Sequence, residues 1–219
     1  MNKKFLTAMI LSAAIGFNGA ASAESVDKVD DAKVTDKEIS DADAKVLGEM
    51  HIGDKDDEGK RIEVQLEYLS SHGFTARRDM RNYNVHVFQK GKDIHALSLH
   101  YGFTFTRATG YNIPKGIAYE SNGVGIGPAM MLRWDKKLSG KLHGSLDFTG
   151  SIMFYNRAHP YDGRAYGFLW RIGPRLSWHY DDRNSFSVGY NISHFSNGMR
   201  SHNPGYNIKG FSIGLSHEF

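Results

Sequence analysis

The stretch Ser185–Ser193, SFSVGYNIS, decides the fold because its side chains change character at every residue. One set of alternate positions is apolar or aromatic, and the other set consists of serine, glycine and asparagine. The apolar set is Phe186, Val188, Tyr190 and Ile192. A repeat of two residues places these sets on opposite faces of a β-strand, whereas a helix repeats every 3.6 residues. The stretch therefore predicts a strand with one apolar and one polar face.

The same alternation recurs from residue 61 to the end of the chain and predicts eight strands. The apolar faces of these strands start at Ile62, Tyr83, Leu97, Val124, Leu142, Tyr166, Phe186 and Phe211. Alternation alone does not tell which face points inward, because a soluble lipocalin-like barrel turns its apolar face to the core and has the same period. A soluble carrier and a membrane barrel both fit the alternation.

Three features favour a barrel whose apolar face meets lipid. Charged and small residues share the opposite face, as a narrow polar interior requires. The charged ones are Glu63, Glu67, Asp147, Arg171 and Arg175. Tryptophan and tyrosine gather near strand ends, as in aromatic girdles, and Phe219 ends an apolar alternation in a way that resembles the terminal assembly signal of outer-membrane barrels. We therefore predict an all-β fold, an eight-stranded antiparallel transmembrane β-barrel of the outer-membrane type.

Three segments of different composition divide the 219 residues. Residues 1–23 carry two lysines, then an apolar run and then Ala-Ser-Ala, which is the order of a cleaved secretory signal peptide. Residues 24–59 hold 13 acidic and 5 basic residues and no aromatic residue, so we expect a flexible periplasmic tail. Residues 60–219 form the predicted barrel and hold 20 basic and 11 acidic residues. The expected location is the outer membrane of a Gram-negative cell.

The lengths of the connections orient the predicted barrel. Short polar turns are expected around 90–93, 135–139 and 180–183. Longer loops are expected around 70–79, 107–120, 156–164 and 197–206. In outer-membrane barrels the short turns face the periplasm and the long loops face outside. The outer rim is basic and would attract the phosphates of lipopolysaccharide, although a solvated rim with no specific partner explains the same residues equally well. Its basic residues are Arg77, Arg78, Arg107, Lys115, Arg157, Arg164 and Arg200.

The segment Tyr190–Asn207, YNISHFSNGMRSHNPGYN, breaks the rule that the outward face is apolar. Counting by twos places His194 and Ser196 on the outward face, within reach of a mutual hydrogen bond once their side chains lean together. The last strand returns antiparallel, and the same count places Asn207 on its outward face. Polar groups that face lipid without partners cost free energy. These three side chains predict either the active site of a serine hydrolase or the edge of a loop above the hydrocarbon, where they would have no function.

The string H-F-S-N at 194–197 resembles the H-x-S-N motif of the PagL-type lipid A 3-O-deacylases. The resemblance implies an outer-membrane esterase that removes the 3-position ester-linked acyl chain of lipid A. Its partner would be lipid A, or lipopolysaccharide, in the outer leaflet, and it would need no cofactor and no metal. The resemblance also implies Ser196 as nucleophile, His194 as base, and the N–H groups of Asn197 and Gly198 near the oxyanion.

The chain departs from this family pattern at one place. An acidic residue completes the family's triad, whereas Asn207 stands at the matching position here. An amide can hold the tautomer of a histidine, but it cannot stabilise imidazolium by charge, so a slower enzyme is implied. The alternatives are a catalytically weak homologue and a non-enzymatic structural or adhesive barrel of the OmpX kind. The oligomeric state and any preference for lipid A over phospholipid stay open.

Other kinds of site have less support from the sequence. The chain has no cysteine, which excludes disulfides and cysteine-ligated metals. His86, His100 and His143 share the interior face and would either converge on a metal or, as we expect, bind to interior polar groups. No nucleic-acid motif is present, and the expected compartment argues against that partner.

Overall fold

The structure, a computed structural model, describes residues 60–74, 77–197 and 203–219, so the predicted signal peptide and acidic tail lie outside the described residues. Nine strands and one short 3₁₀ helix, Pro114–Gly116, run along this part of the chain. The strands are β1 (Arg61–Ser70), β2 (Arg78–Ile94), β3 (Leu97–Asn112), β4 (Tyr119–Glu120), β5 (Gly123–Ser139), β6 (Leu142–His159), β7 (Arg164–His179), β8 (Asn184–Ser196) and β9 (Tyr206–Glu218). Among the residues described, no helix is long and apolar enough to cross a membrane.

Eight of the strands close into a ring in which every neighbouring pair is antiparallel. The order is β2-β1-β9-β8-β7-β6-β5-β3, and the pairing of β2 with β3 closes the ring. The two-residue strand β4 pairs with the last residues of β3 and adds no wall of its own. Closure pairs the backbone N–H and C=O groups of every strand, as apolar surroundings require. The prediction of an eight-stranded antiparallel barrel is confirmed.

The two ends of the barrel differ in their connections. At the loop end the chain passes from β1 to β2, from β3 to β5, from β6 to β7 and from β8 to β9. The turn end carries the connections 95–96, 140–141 and 180–183, of two to four residues each, and β1 starts and β9 finishes there. Of the three short turns expected from the sequence, the one at 180–183 is confirmed.

The turns expected around 90–93 and 135–139 are wrong, because these residues lie within β2 and β5. The register shifts between Lys90 and Asp93 and between Lys137 and Ser139. Such bulges accommodate polar residues without ending the backbone pairing, so the strands continue past the point where the apolar alternation fades. For the same reason β6 reaches His159, and the loop expected around 156–164 shrinks to 160–163.

The outer wall is apolar, as the alternation predicts. Large apolar side chains on alternate residues of all eight strands are exposed, and their neighbours in sequence are buried. Cross-strand pairing aligns one set of four aromatic side chains, called the aromatic row below. It consists of Tyr190, Phe211, Tyr68 and Tyr83. Two of its contacts are ring pairs with centroids 5.0 and 5.2 Å apart.

The middle of the interior is held by buried ion pairs. Asp147 accepts hydrogen bonds from Arg133 Nε at 2.7 Å and from Arg175 Nε at 2.8 Å. Arg133 also donates to Glu63 at 2.8 Å, so one cluster contains two carboxylates and two guanidinium groups. Charges removed from water are tolerated when they are paired and hydrogen-bonded in this way. The polar interior expected from the sequence is therefore present here.

A second cluster of interior charges surrounds Glu67. This carboxylate accepts from Arg171 Nη1 at 2.9 Å and lies 3.1 Å from His86 Nε2. The other ring nitrogen of His86 is 2.8 Å from the hydroxyl of Thr104. The two clusters together contain three carboxylates and three guanidinium groups, so their formal charges cancel.

Toward the loop end the interior becomes apolar. This differs from the polar interior that the sequence predicts. A cluster of fully or nearly buried side chains fills the barrel there. Its members are Leu69, Met80, Ala108, Met153, Tyr155, Leu169, Phe195, Tyr206 and Ile208. These residues share the inward parity with the charged ones, because alternation determines the face on which a side chain lies and not its chemistry.

Candidate active site

The polar residues singled out on β8 lie on its outward face at the loop end. His194 and Ser196 alternate with the fully buried Phe195 and follow the exposed Ile192 along the same face. Both are partly exposed, and Ser196 is the last residue of the strand. They therefore project from the wall, as the count by twos predicts, and not into the interior.

Asn207 on β9 is the cross-strand partner of His194. The Nδ1–H group of His194 donates to Oδ1 of Asn207 at 2.6 Å. With the proton on Nδ1, the second ring nitrogen Nε2 carries a lone pair and can accept a proton. The expected meeting of these two side chains on the exterior is thus present, and the amide acts as the acceptor.

The neighbouring strand β7 supports the other side of the site with aromatic rings. Trp170 is the cross-strand partner of His194, and the two ring centroids are 5.7 Å apart. Phe168 is the partner of Ser196 in the same register. The imidazole therefore lies between an indole and an amide, and this fixes its plane without a charged neighbour.

Asn203, in the loop before β9, is a site residue that alternation does not reveal. Its amide Nδ2 donates to Ser196 Oγ at 2.9 Å. Its Oδ1 accepts from the backbone N–H groups of Asn197 and Gly205, each at 3.1 Å. Asparagine side chains commonly bind nearby backbone groups in turns, and the following Pro204 is a turn signal that points to such a role. Both functional groups of this side chain are consequently held in place.

Asn197 has a different place from the one implied by the family resemblance. Its side chain is buried, and its Nδ2 donates to the carbonyl oxygen of His159 at 3.1 Å. Its backbone N–H, the expected oxyanion donor, is occupied by Asn203. This arrangement does not favour Asn197 as that donor, and Gly198 lies outside the described residues.

The interior side of the wall packs tightly behind the site. Phe195 and Tyr206 stack with centroids 5.4 Å apart, and the ring of His159 lies 5.1 Å from Phe195. A β-carbon on Gly205 would lie 2.4 Å from the carbonyl oxygen of Phe195, so only glycine permits this approach of the loop to β8. The strand that carries His194 and Ser196 is therefore fixed from within.

Interior histidines do not form a metal site in the described part of the chain. His86 is bound to Glu67 and Thr104, His100 lies 2.9 Å from the hydroxyl of Ser98, and His143 lies 2.8 Å from Asp135. Within residues 60–74, 77–197 and 203–219, no three His, Asp or Glu side chains are grouped so that they could hold a metal ion.

The family model of lipid A 3-O-deacylase (PagL) matches residues 80–216, well over half of the chain, including the whole of the site on β8 and β9. The chain belongs to the PagL family. Two solved structures are similar to it at low identity. Neisserial surface protein A (NspA) is 11% identical with a TM-score of 0.47 and covers 73% of this chain and 96% of its own. The outer membrane enzyme PagL is 13% identical with a TM-score of 0.43 and covers 73% and 99%. No curated protein matches.

Membership of the PagL family identifies the barrel as a lipid A deacylase-like protein of the outer membrane. The soluble lipocalin-like carrier is therefore excluded. The position of the site along the wall is measured from the aromatic row. His194 lies four residues beyond Tyr190 of the aromatic row on the same face of β8, about 14 Å along the strand. The site therefore lies beyond the aromatic row, toward the loop end of the wall.

Proposed function

We propose that the protein is a serine esterase that hydrolyses the 3-position ester-linked acyl chain of lipid A in the outer leaflet. Ser196 is the nucleophile, His194 is the general base and Asn207 orients the imidazole. The observation that carries the proposal is the 2.6 Å hydrogen bond from His194 Nδ1 to Asn207 Oδ1 on the lipid-facing wall, two residues from a serine. A serine, a histidine and an orienting acceptor are the three parts of an activated hydroxyl.

In the first half of the reaction, Ser196 Oγ attacks the ester carbonyl carbon and His194 Nε2 takes the hydroxyl proton. The tetrahedral intermediate collapses, the bond between the carbonyl carbon and the sugar oxygen breaks, and the imidazolium returns its proton to that oxygen. A water then attacks the acyl-serine with His194 again as base. The hydroxy fatty acid leaves, and the hydroxyl of Ser196 is regenerated.

The oxyanion needs a hydrogen-bond donor beside the nucleophile, and Asn203 is the side chain best placed to supply it. Its amide N–H already reaches Ser196 Oγ at 2.9 Å, and its carbonyl is anchored by two backbone N–H groups. A donor held in place before the reaction stabilises developing negative charge without reorganisation. Asn203 thus takes the role that the family resemblance implies for Asn197.

The height of the site supports the choice of substrate. The scissile ester of a glycolipid joins a sugar to a hydrocarbon chain, so it lies on the headgroup side of the hydrocarbon, the direction in which the wall extends from the aromatic row to Ser196. A wall-mounted serine above this row meets the ester without extracting the lipid from the leaflet. An interior site would require the whole acyl chain to enter a barrel that the apolar cluster and the ion pairs fill.

One observation favours a second candidate, a non-enzymatic structural or adhesive barrel. The ring partner of His194 is an amide, which cannot stabilise imidazolium by charge. A barrel that has lost catalysis would tolerate this change, whereas an enzyme would be slowed by it.

Expression of the full-length protein in a Gram-negative host with unmodified lipid A separates the two candidates. Lipid A is extracted from cells with and without the protein, and the acyl count is measured by mass spectrometry. We expect lipid A molecules that have lost one hydroxyacyl chain from the 3-position. An unchanged mass spectrum from cells whose outer membranes contain the folded, heat-modifiable barrel would favour the non-enzymatic candidate.

Replacement of Asn207 by aspartate tests the role of the orienting group. A carboxylate at this position keeps the acceptor and adds a charge that stabilises imidazolium, and charge-assisted hydrogen bonds are roughly twice as strong as neutral ones. We expect Asn207→Asp to raise kcat roughly tenfold at neutral pH. It should also move the acidic limb of the pH–rate profile upward, because a nearby anion favours the protonated imidazole. The measurement is release of hydroxy fatty acid from lipid A by purified protein.

The matched control is Asn207→Leu, which removes the acceptor at similar volume. It should reduce kcat, because neither tautomer of His194 is then preferred. An aspartate variant slower than the wild type, with unchanged pH dependence, would show that Asn207 does not act on the imidazole.

A further inference from the structure

A row of polar side chains runs along the outer wall beside the site. Lys209 on β9 is the cross-strand partner of Ser70 on β1, and Ser70 is the partner of Arg81 on β2. These three residues, called the basic row below, face outward like Asn207, which lies two residues before Lys209 on β9. Strands are about 4.8 Å apart, so the backbones of Lys209 and Arg81 are separated by about 10 Å. Their long side chains can therefore reach one anionic group between them.

The charge of Lys209 has no anionic partner in the described part of the chain. Its Nζ lies 5.1 Å from the centroid of the Phe74 ring, and a β-carbon on Gly73 would be only 3.4 Å from that atom. Gly73 and Phe74 thus lie next to the lysine without neutralising its charge. Arg81 has one acidic neighbour, Asp79, with Nη2 and Oδ1 3.4 Å apart and both side chains nearly half exposed. The basic row therefore carries two cations against one carboxylate.

An apolar groove of about 420 Å³ lies on the membrane side of the basic row. It crosses the same three strands, β9, β1 and β2, and starts at the aromatic row. Its apolar lining is Tyr68, Tyr83, Phe211, Leu66, Val85 and Ile213. A charged upper edge above an apolar groove matches a molecule that has an anionic headgroup and a hydrocarbon chain.

The other flank of the site has a different character. The outward residues of β7 beside His194 and Ser196 are Trp170 and Phe168. Further toward the loop end, Arg164 donates to the hydroxyl of Tyr166 at 2.5 Å and lies over the same ring. The cation of this flank is thus held by an aromatic side chain. The difference between the flanks gives a bound lipid one preferred orientation.

We propose that Lys209 and Arg81 bind a phosphate of the lipid A substrate, while the groove between β9 and β2 holds an acyl chain that is not cleaved. This assignment rests on the proposed function. It makes the two basic residues positioning residues, because they bring the ester to Ser196 without touching the reacting atoms. Phosphate is a strong acceptor for lysine and arginine, and at the edge of the hydrocarbon such a pair is less screened than in water.

The test compares phosphorylated lipid A with chemically dephosphorylated lipid A in detergent micelles. For Lys209→Gln we expect KM for the phosphorylated substrate to rise about fivefold, the upper range for a half-exposed ion pair, with kcat unchanged. On the dephosphorylated substrate the variant and the wild type should have equal KM. Arg81→Gln should behave in the same way, and Lys209→Arg should restore the wild-type KM.

The matched control is Lys137→Gln, which removes an exposed charge at the turn end of β5, at the other end of the barrel from the site. It should leave KM for both substrates unchanged. Heat-modifiable migration on gels checks that each variant is folded. An equal rise in KM on both substrates for Lys209→Gln, or no rise on either, would overturn the proposal.

Binding to the Ser196→Ala protein separates a failure of this proposal from a failure of the proposed function. Quenching of tryptophan fluorescence by phosphorylated and dephosphorylated lipid A reports affinity without turnover. A phosphate-dependent loss of about fivefold when Lys209→Gln is added supports the basic row, even if the wild type hydrolyses neither lipid. If both lipids bind equally and the wild type does deacylate lipid A, the proposal that the basic row binds phosphate is refuted, whereas the proposed esterase function is not. Binding of phosphatidylglycerol vesicles as strongly as lipid A would refute the assignment to lipid A.

Discussion

Ser196→Ala is expected to reduce the rate of lipid A deacylation by about a thousandfold or more, without changing the fold. The substitution removes the nucleophilic oxygen, and neither His194 nor Asn203 can replace it in forming an acyl-enzyme. Ser196 is partly exposed at the end of β8, so its loss leaves the interior packing intact. Mass spectrometry of lipid A from cells, and fatty acid release by purified protein, both measure the effect.

Ser193→Ala is the matched control on the same strand. Ser193 faces inward and donates a hydrogen bond from Oγ to the carbonyl oxygen of Trp170 at 2.7 Å. Its loss should cost about 1 kcal/mol of stability and leave the acyl count of lipid A as in the wild type. Continued deacylation by Ser196→Ala at the wild-type rate would show that Ser196 is not the nucleophile and that His194 is not its general base.

Asp147→Leu should destabilise the barrel by about 3–5 kcal/mol, the cost of breaking a buried ion pair from one side. Asp147 is almost fully buried and lies between Arg133 and Arg175. Without it, Arg133 keeps its ion pair with Glu63, whereas Arg175 loses the carboxylate that it binds. Urea unfolding of the protein from lipid vesicles, followed by tryptophan fluorescence, measures the free energy of unfolding.

Asp93→Asn provides the surface comparison. Asp93 pairs with Lys90 at 3.1 Å near the turn end, with its side chain 47% exposed, so its loss should change the free energy of unfolding by at most about 1 kcal/mol. The double variant Asp147→Leu/Arg175→Met should recover part of the loss, because one uncompensated charge is removed with its partner. Equal destabilisation by the buried and the surface substitutions would mean that the interior charges are hydrated and not a sealed cluster.

The fold could be predicted because lipid and barrel interior impose opposite demands on alternate residues. The segment 185–193 carries this signal strongly, and the closure of the ring follows from eight such segments. The strand ends could not be predicted, since β2 and β5 continue through polar bulges where backbone pairing persists without an apolar face. The apolar cluster at the loop end could not be predicted either. Leu69 and Phe195 lie on the same face of their strands as the charged interior residues, and alternation does not separate the two groups.

The contact between His194 and Asn207 could be predicted. Alternation places both side chains on the outward face of β8 and β9, and the antiparallel pairing of these strands brings them opposite each other. The contact of Asn203 could not be predicted, because this residue precedes β9 and belongs to no alternating stretch that would determine where its amide lies. The same side chain also accepts from the N–H of Asn197, which is why we propose Asn203 and not Asn197 as the oxyanion donor. Strand residues are therefore predictable from spacing, and loop residues require coordinates.

The position of His194 and Ser196 on the outside of the wall has a consequence for how the protein would be supplied with substrate. A lipid reaches this face only by sideways diffusion within one leaflet, so turnover depends on the fraction of that leaflet made up of substrate and not on any bulk concentration. Bridging of neighbouring headgroups by divalent cations slows such diffusion. Chelation of magnesium and calcium should therefore accelerate the reaction in intact cells, with no change to the protein itself.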